Sequence, residues 1–326
     1  MQKYLKYSLI LFILIFVGLA VIASLTDALP VINSANPFFL ALASLFFIIS
    51  IVFWIIPWAY LLEKRALFAL KESIILGFSC VYGALTPIQV GAEALRSIKA
   101  KEFFGVSYAE SVSAAMVVKG LKFFLLAILA VIVLVTILVE TKLSAIMFFG
   151  LISGFAVIVL ACALFLLPLN KKIGIKISRI FRFIARYLKV FKVLDKYFEG
   201  YANYLEKVSL KKFVVIFVLT AISFSLEFIA LQFCFYSLNL FIDFFALATL
   251  FVIISILERT PVLPRGVGLV EAAGFIFLSL PEYSLVALTV SEIGAILILF
   301  DVVRLLVPTI VSLLVSAIPL KKSNFK

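Results

Sequence analysis

Two short segments repeat one pattern of chemistry. Pro87-Ile-Gln89-Val-Gly91-Ala-Glu93 places a glycine four residues and an acid six residues after its proline. Pro264-Arg265-Gly266-Val-Gly268-Leu-Val-Glu271 places a glycine at four and an acid at seven. A helix that restarts after each proline offers unpaired backbone N–H groups, and such ends bind anions. In the second segment a guanidinium stands beside glycines that permit close backbone approach, a combination suited to bidentate phosphate contact; a plain structural turn accounts for the same residues equally well. Glu93 and Glu271 would offset the positive helix ends in the absence of a ligand, or meet a cationic or hydroxyl-bearing group in its presence.

Around these segments lie ionisable residues embedded in apolar sequence: Arg96, Lys119, Lys122, Glu227, Glu258, Arg259, Glu292, Asp301 and Arg304. Each costs roughly 2.5–3.5 kcal/mol inside hydrocarbon, so each needs a reason. Glu93 with Arg96 and Asp301 with Arg304 stand at helical i, i+3 spacing and offer local pairs, either self-neutralised structural pairs or functional groups. Lys119 and Lys122 share a helix face with no acid nearby in sequence, so they either snorkel to the membrane surface or face a polar cavity. Glu227 lies deep in its apolar run and requires a distant lysine or arginine, or else carries a proton.

The chain that must position these groups has 326 residues, 65% of them apolar and 14% charged, with a mean hydropathy of +1.28. Soluble chains run near 45–50% apolar, which excludes a soluble enzyme. The absence of histidine closes off Ser-His and Cys-His catalysis, and the dispersed Cys80, Cys162 and Cys234 offer no zinc site or disulfide scaffold. No catalytic residue, metal or cofactor is expected. The net charge of +12 does not imply nucleic acid, because the basic residues fall between apolar runs, where they orient a membrane protein.

Full-length apolar runs occupy Ser8–Leu25, Pro37–Leu62, Val112–Val139, Ser144–Leu167, Phe213–Leu238 and Tyr283–Ile318. The first also resembles a signal peptide, but a retained helix keeps two halves equal. The last is too long for one straight crossing and reads as a long, tilted or kinked helix rather than a hairpin at Asp301. Two shorter runs, Ser73–Leu85 and Phe244–Leu257, stop at proline-containing turns and resume. Lysine and arginine cluster at Lys3 and Lys6, Lys64 to Lys71, Arg96 to Lys101, Lys171 to Lys212 and Lys321 to Lys326. By the positive-inside rule these flanks, and both termini, are cytoplasmic. Each interrupted run then enters and leaves on one side. The expected fold is an all-α polytopic membrane domain of about six crossings plus two re-entrant hairpins, in repeats 8–139 and 144–318 that are inverted relative to one another. Inverted repeats with broken helices meeting at mid-membrane are a transporter architecture. Residues 171–212, within the second repeat, include an amphipathic basic helix expected to lie on the anionic leaflet, as a topology anchor or as a lipid-head-group receptor.

The spaced motifs resemble those of the transmembrane flippase-like domain of the lysylphosphatidylglycerol synthetase family. The first family motif, P-x-x-x-G-E-x-x-R followed by G-V-S, is similar to Pro87…Gly91-Ala92-Glu93…Arg96 and Gly105-Val106-Ser107; the second, P-G-G-x-G-x-x-E-A, is similar to Pro264 through Ala272, with Arg265 where glycine is usual. Arg304…Pro308 resembles a later arginine–proline pair. Lys119-Gly120-Leu121-Lys122 replaces a Glu-Arg-x-x-Asp-like cluster and makes the site more basic. The resemblance implies lipid translocation in the cell membrane without transferase chemistry. Arg96, Lys119, Lys122, Arg259, Arg265 and Arg304 would hold a phosphate-bearing head group, with Glu93, Glu227, Glu258 and Glu271 compensating charge. An ion-coupled carrier of a small soluble anion and a non-transporting partner of a lipid-modifying enzyme are the alternative readings.

Overall fold

The structure is a computed structural model describing residues 17–62, 70–85, 91–140, 208–258, 264–279 and 288–320, with isolated positions elsewhere before 180. Within it the chain is helical throughout. Residues 17–25 form α1, followed by α2 (Leu29–Asn33), α3 (Pro37–Leu61), α4 (Leu70–Phe78), α5 (Gly91–Phe104), α6 (Tyr108–Glu140), α7 (Leu210–Ser237), α8 (Phe244–Leu257), α9 (Leu269–Leu278) and α10 (Val290–Ser316). Four of these, α3, α6, α7 and α10, are long and apolar enough to cross a membrane. Most of the run Ser144–Leu167, the start of Ser8–Leu25 and nearly all of the basic segment 171–212 lie outside the described residues.

Local chemistry sets the helix limits. Asn36 accepts from the Phe38 N–H and Ser209 from the Lys212 N–H, capping α3 and α7, while Asp243 accepts from two N–H groups at the start of α8. Thr289 and Glu292 form a reciprocal capping box at the start of α10. Glu292 is therefore a helix-end residue and not a deep charge. The run 283–318 yields one continuous helix from Val290, with no hairpin at Asp301; its centre widens to a π-helical turn at Val302–Leu306.

The α3 and α7 helices pack along most of their length, joined by Phe46 stacked on Phe233 and by the Ser223 hydroxyl donating to the Ser50 carbonyl. Around this pair the two interrupted runs make reciprocal contacts. The first hairpin, α4 and α5 with a 3-10 turn at Val81–Leu85, packs on α6 and also on α10; the second, α8 and α9 with a 3-10 turn at Pro264–Gly266, packs on α10 and also on α6. The two turns touch one another. Ser312 of α10 fixes the first, accepting from the Tyr82 N–H at 3.0 Å and donating to the Phe78 carbonyl at 2.8 Å. Close approach explains Gly83: a Cβ there would come within 2.9 Å of backbone atoms of Gly91 and Ala92 at the start of α5.

Candidate functional site: a charged cavity where the hairpins meet

The touching turns border a cavity of about 80 Å³ between α3, α6, α7, α8 and α10. Its apolar wall includes Phe47, Ile51, Phe251, Ile254 and Phe300. Seven charged residues also reach it: Lys119, Lys122, Arg265 and Arg304 against Glu93, Glu227 and Glu258. Charge in such number among apolar helices is the outstanding feature of the molecule.

Of the two options for Lys119 and Lys122, the structure shows the polar cavity. Lys119 Nζ lies 3.1 Å from Glu93 Oε1, and Lys122 Nζ 2.5 Å from Glu227 Oε1. Lys122 is thus the cation that Glu227 requires, supplied from a helix 105 residues away in sequence. The expected Glu93–Arg96 pair does not form, because Lys119 takes Glu93 instead. Arg96 turns toward α3, where its guanidinium carbon lies 4.7 Å from the Trp54 ring centre and 4.5 Å from that of Trp58. Both tryptophans escaped the sequence reading, although their i, i+4 spacing places two indoles on one helix face.

The second cluster centres on Arg304. Its Nε bonds to Asp301 as the i, i+3 spacing anticipates, and its other nitrogens face Glu271 Oε1 at 3.5 Å and Glu258 Oε2 at 3.8 Å. One guanidinium is therefore shared by three carboxylates from α8, α9 and α10. Arg265 adds a second cation, bonding to Glu258 and donating from Nη1 to the Arg304 carbonyl at 2.9 Å. That carbonyl is open for a covalent reason. Pro308, four residues on, has no N–H to complete the α-helical bond, and the helix relaxes into the π turn beside it.

Arg265 adopts φ +48°, a left-handed conformation that costs a non-glycine residue about 1–2 kcal/mol. Its bonds to Glu258 and the Arg304 carbonyl hold it there. Gly266 (φ +69°) and Gly268 (φ +90°) complete the turn; at Gly266 a side chain would also strike the Leu257 carbonyl. At the α9 start the first amide is already occupied. Glu271 folds back and accepts from the Gly268 N–H. Helix α5 begins at Gly91, with Glu93 in its first turn. Pro87, Gln89 and Arg259 lie outside the described residues, and among those described no group of carboxylates, cysteines and histidines could hold a metal.

The geometry thus joins both hairpins and both long helices α6 and α10 at one charged site. A family model described as the lysylphosphatidylglycerol synthase TM region matches residues 8–317. The chain belongs to that family. No curated protein and no solved structure matches it. Membership in the lysylphosphatidylglycerol synthase TM family, together with the four long apolar helices, makes the chain a multi-pass membrane protein related to lipid modification or flipping. It also puts the motif residues in perspective. Glu93, Arg96, Arg265, Glu271 and Arg304, distant in sequence, belong to two adjoining charge clusters, whereas Glu292 belongs to neither.

Proposed function

We propose that this protein moves a phosphate-bearing lipid, an anionic or zwitterionic phospholipid or a lipid-linked sugar, between the leaflets of the cell membrane. The head group passes through the cavity while its tails remain in lipid. The observation that carries this reading is the cavity itself: seven charged side chains at the meeting of two hairpins, among membrane-crossing helices of a lipid-related family. A purely structural core gains nothing from so many ions, because well-packed apolar side chains are usually as stable.

Alternating access follows from the architecture. Each hairpin packs on the long helix of its own half and on that of the other, and Glu93–Lys119 in one half has a counterpart in Glu271–Arg304 in the other. These reciprocal contacts support inverted repeats 8–139 and 144–318 that rock about a shared site, with both termini cytoplasmic. As a head group enters, phosphate competes with the carboxylates for Arg265, Arg304, Lys119 and Lys122, and exchange among preformed ion pairs spares each charge from desolvation on its own. The protein supplies a path and no bond-breaking chemistry; its partners are membrane lipids.

The test is reconstitution in vesicles carrying a fluorescent phospholipid, with impermeant reductant to bleach the outer leaflet. Intact protein is expected to expose the inner-leaflet pool; bleaching that stops at half, as in protein-free vesicles, contradicts the reading. Arg265→Gly is the informative variant, since glycine accepts the left-handed backbone and only the guanidinium is lost. With Glu258 then lacking that partner, the flipping rate should fall about tenfold, the equivalent of one charge-assisted hydrogen bond. An unchanged rate would remove Arg265 from the path.

A further inference from the structure

Among the cations of the two clusters, Arg96 is singular. Lys119, Lys122, Arg265 and Arg304 each bind a carboxylate. Arg96 is 1% exposed, and its Nε, Nη1 and Nη2 have no hydrogen-bond partner at all. Trp54 and Trp58 attract it through their ring faces. The indoles offer no lone-pair acceptor, however, and the one polar atom of Trp58 is spent donating to the Ser111 carbonyl at 3.1 Å. Taking a cation out of water costs several kcal/mol, so the rings offset only part of the burial. Beside it on α5 the Ser97 hydroxyl and Glu93 Oε2 are also buried without partners. Lys119 holds the other oxygen of Glu93 and weakens its competition for Arg96.

We infer that Arg96 is the seat of an oxyanion, the phosphate group of a lipid or free phosphate, received against the Trp54–Trp58 pair. The planar guanidinium keeps its hydrogen-bonding edge unspent, and that edge fits two oxygens of a phosphate. Trp54 lines the cavity and carries Arg96 on its ring, so the seat lies one side chain behind the cavity wall and opens when the indole moves. The inference rests on the proposed lipid reading only for the source of the phosphate. It narrows the sequence expectation, in which Arg96 is one of six cations holding the head group, because Lys119, Lys122, Arg265 and Arg304 already hold carboxylates.

The protein contains its own reporter, because Trp54 and Trp58 are its only two tryptophans. Full-length protein in uncharged detergent is titrated with short-chain phosphatidylglycerol, with sodium phosphate and with short-chain diacylglycerol, following tryptophan emission. A saturable change with phosphatidylglycerol and none with diacylglycerol is expected. The exposed-charge control Lys101→Gln keeps the response and Arg96→Gln abolishes it. Arg96→Lys, which preserves the charge and lacks the fork, shifts half-saturation about tenfold weaker; it carries the test should Arg96→Gln fail to elute as a monodisperse species. A response to sodium phosphate alone upholds the seat and moves its source from lipid to solution. No saturable response, an equal response to diacylglycerol, or an undiminished response in a folded Arg96 variant overturns it. Because no flipping is measured, a failure of transport leaves this result intact.

Discussion

Arg304→Met is expected to destabilise the protein more than any other single substitution in the cavity. Arg304 is 1% exposed and stands among Asp301, Glu258 and Glu271, with Asp301 equally buried. Removing one partner from a buried ion pair costs about 3–5 kcal/mol, because the remaining charge stays desolvated. Here three carboxylates lose their common cation, and Arg265 reaches only Glu258. Methionine fills much the same volume, so the loss is electrostatic rather than a cavity effect. The unfolding midpoint in detergent should fall sharply, and Asp301→Asn in the same chain should restore part of it by removing one of the stranded charges. Arg304→Lys should lie between, since an ammonium keeps the charge without the fork. A midpoint unchanged in Arg304→Met would mean that the carboxylates are neutral or hydrated in the native protein.

Separating Lys122 from Glu227 is expected to have the next largest effect, and a double-mutant cycle reads it. Lys122→Met leaves Glu227 at the largely apolar cavity without this cation; Glu227→Gln replaces the carboxylate that Lys122 binds with a neutral amide. The side chains retain 10% and 17% exposure, so each single change should cost somewhat less than the full buried-pair figure, about 2–3 kcal/mol. The Lys122→Met, Glu227→Gln double variant should cost less than the sum, with a coupling of about 1–3 kcal/mol. Strict additivity in thermal unfolding would show that the pair carries no mutual energy. The same cycle measured in vesicles separates stability from transport: if the ions serve the head group, the double variant folds well and flips slowly.

How far these features were legible in the sequence depends on the range of the interaction concerned. The long helices were visible in composition alone, because runs such as Pro37–Leu62 and Phe213–Leu238 have no alternative to burial in lipid. The interruptions at Pro87 and Pro264 were visible because proline and glycine act on their own backbone. Even the awkward run 283–318 was readable as a single helix, since Asp301 to Arg304 contains no turn former. Asp301 with Arg304 was readable for the same reason of proximity. Glu93 with Arg96 was misread by that rule: helical spacing cannot show that Lys119 arrives from α6 to take the carboxylate, or that two indoles wait on α3 for the guanidinium. The convergence of three carboxylates on Arg304 was likewise hidden, as it depends on how α8, α9 and α10 pack. Pro308 did carry a readable signal. A proline four residues after an arginine frees that arginine's carbonyl, which is the acceptor Arg265 uses. Arg265 in place of the usual glycine was visible as an anomaly, and its meaning emerged only with its partners and its backbone angle.

Lipid head groups that travel through this cavity should be stopped by filling it. Ala84, a small residue on the first hairpin turn, lines it, whereas Ile128 on α6 lies on the outer surface. The direct measurement compares the flipping rate of Ala84→Trp with that of Ile128→Trp in vesicles at equal amounts of folded protein. Blocking the cavity at Ala84 should abolish protein-dependent flipping and the outward-facing change should preserve it; equal flipping by the two variants would contradict the account.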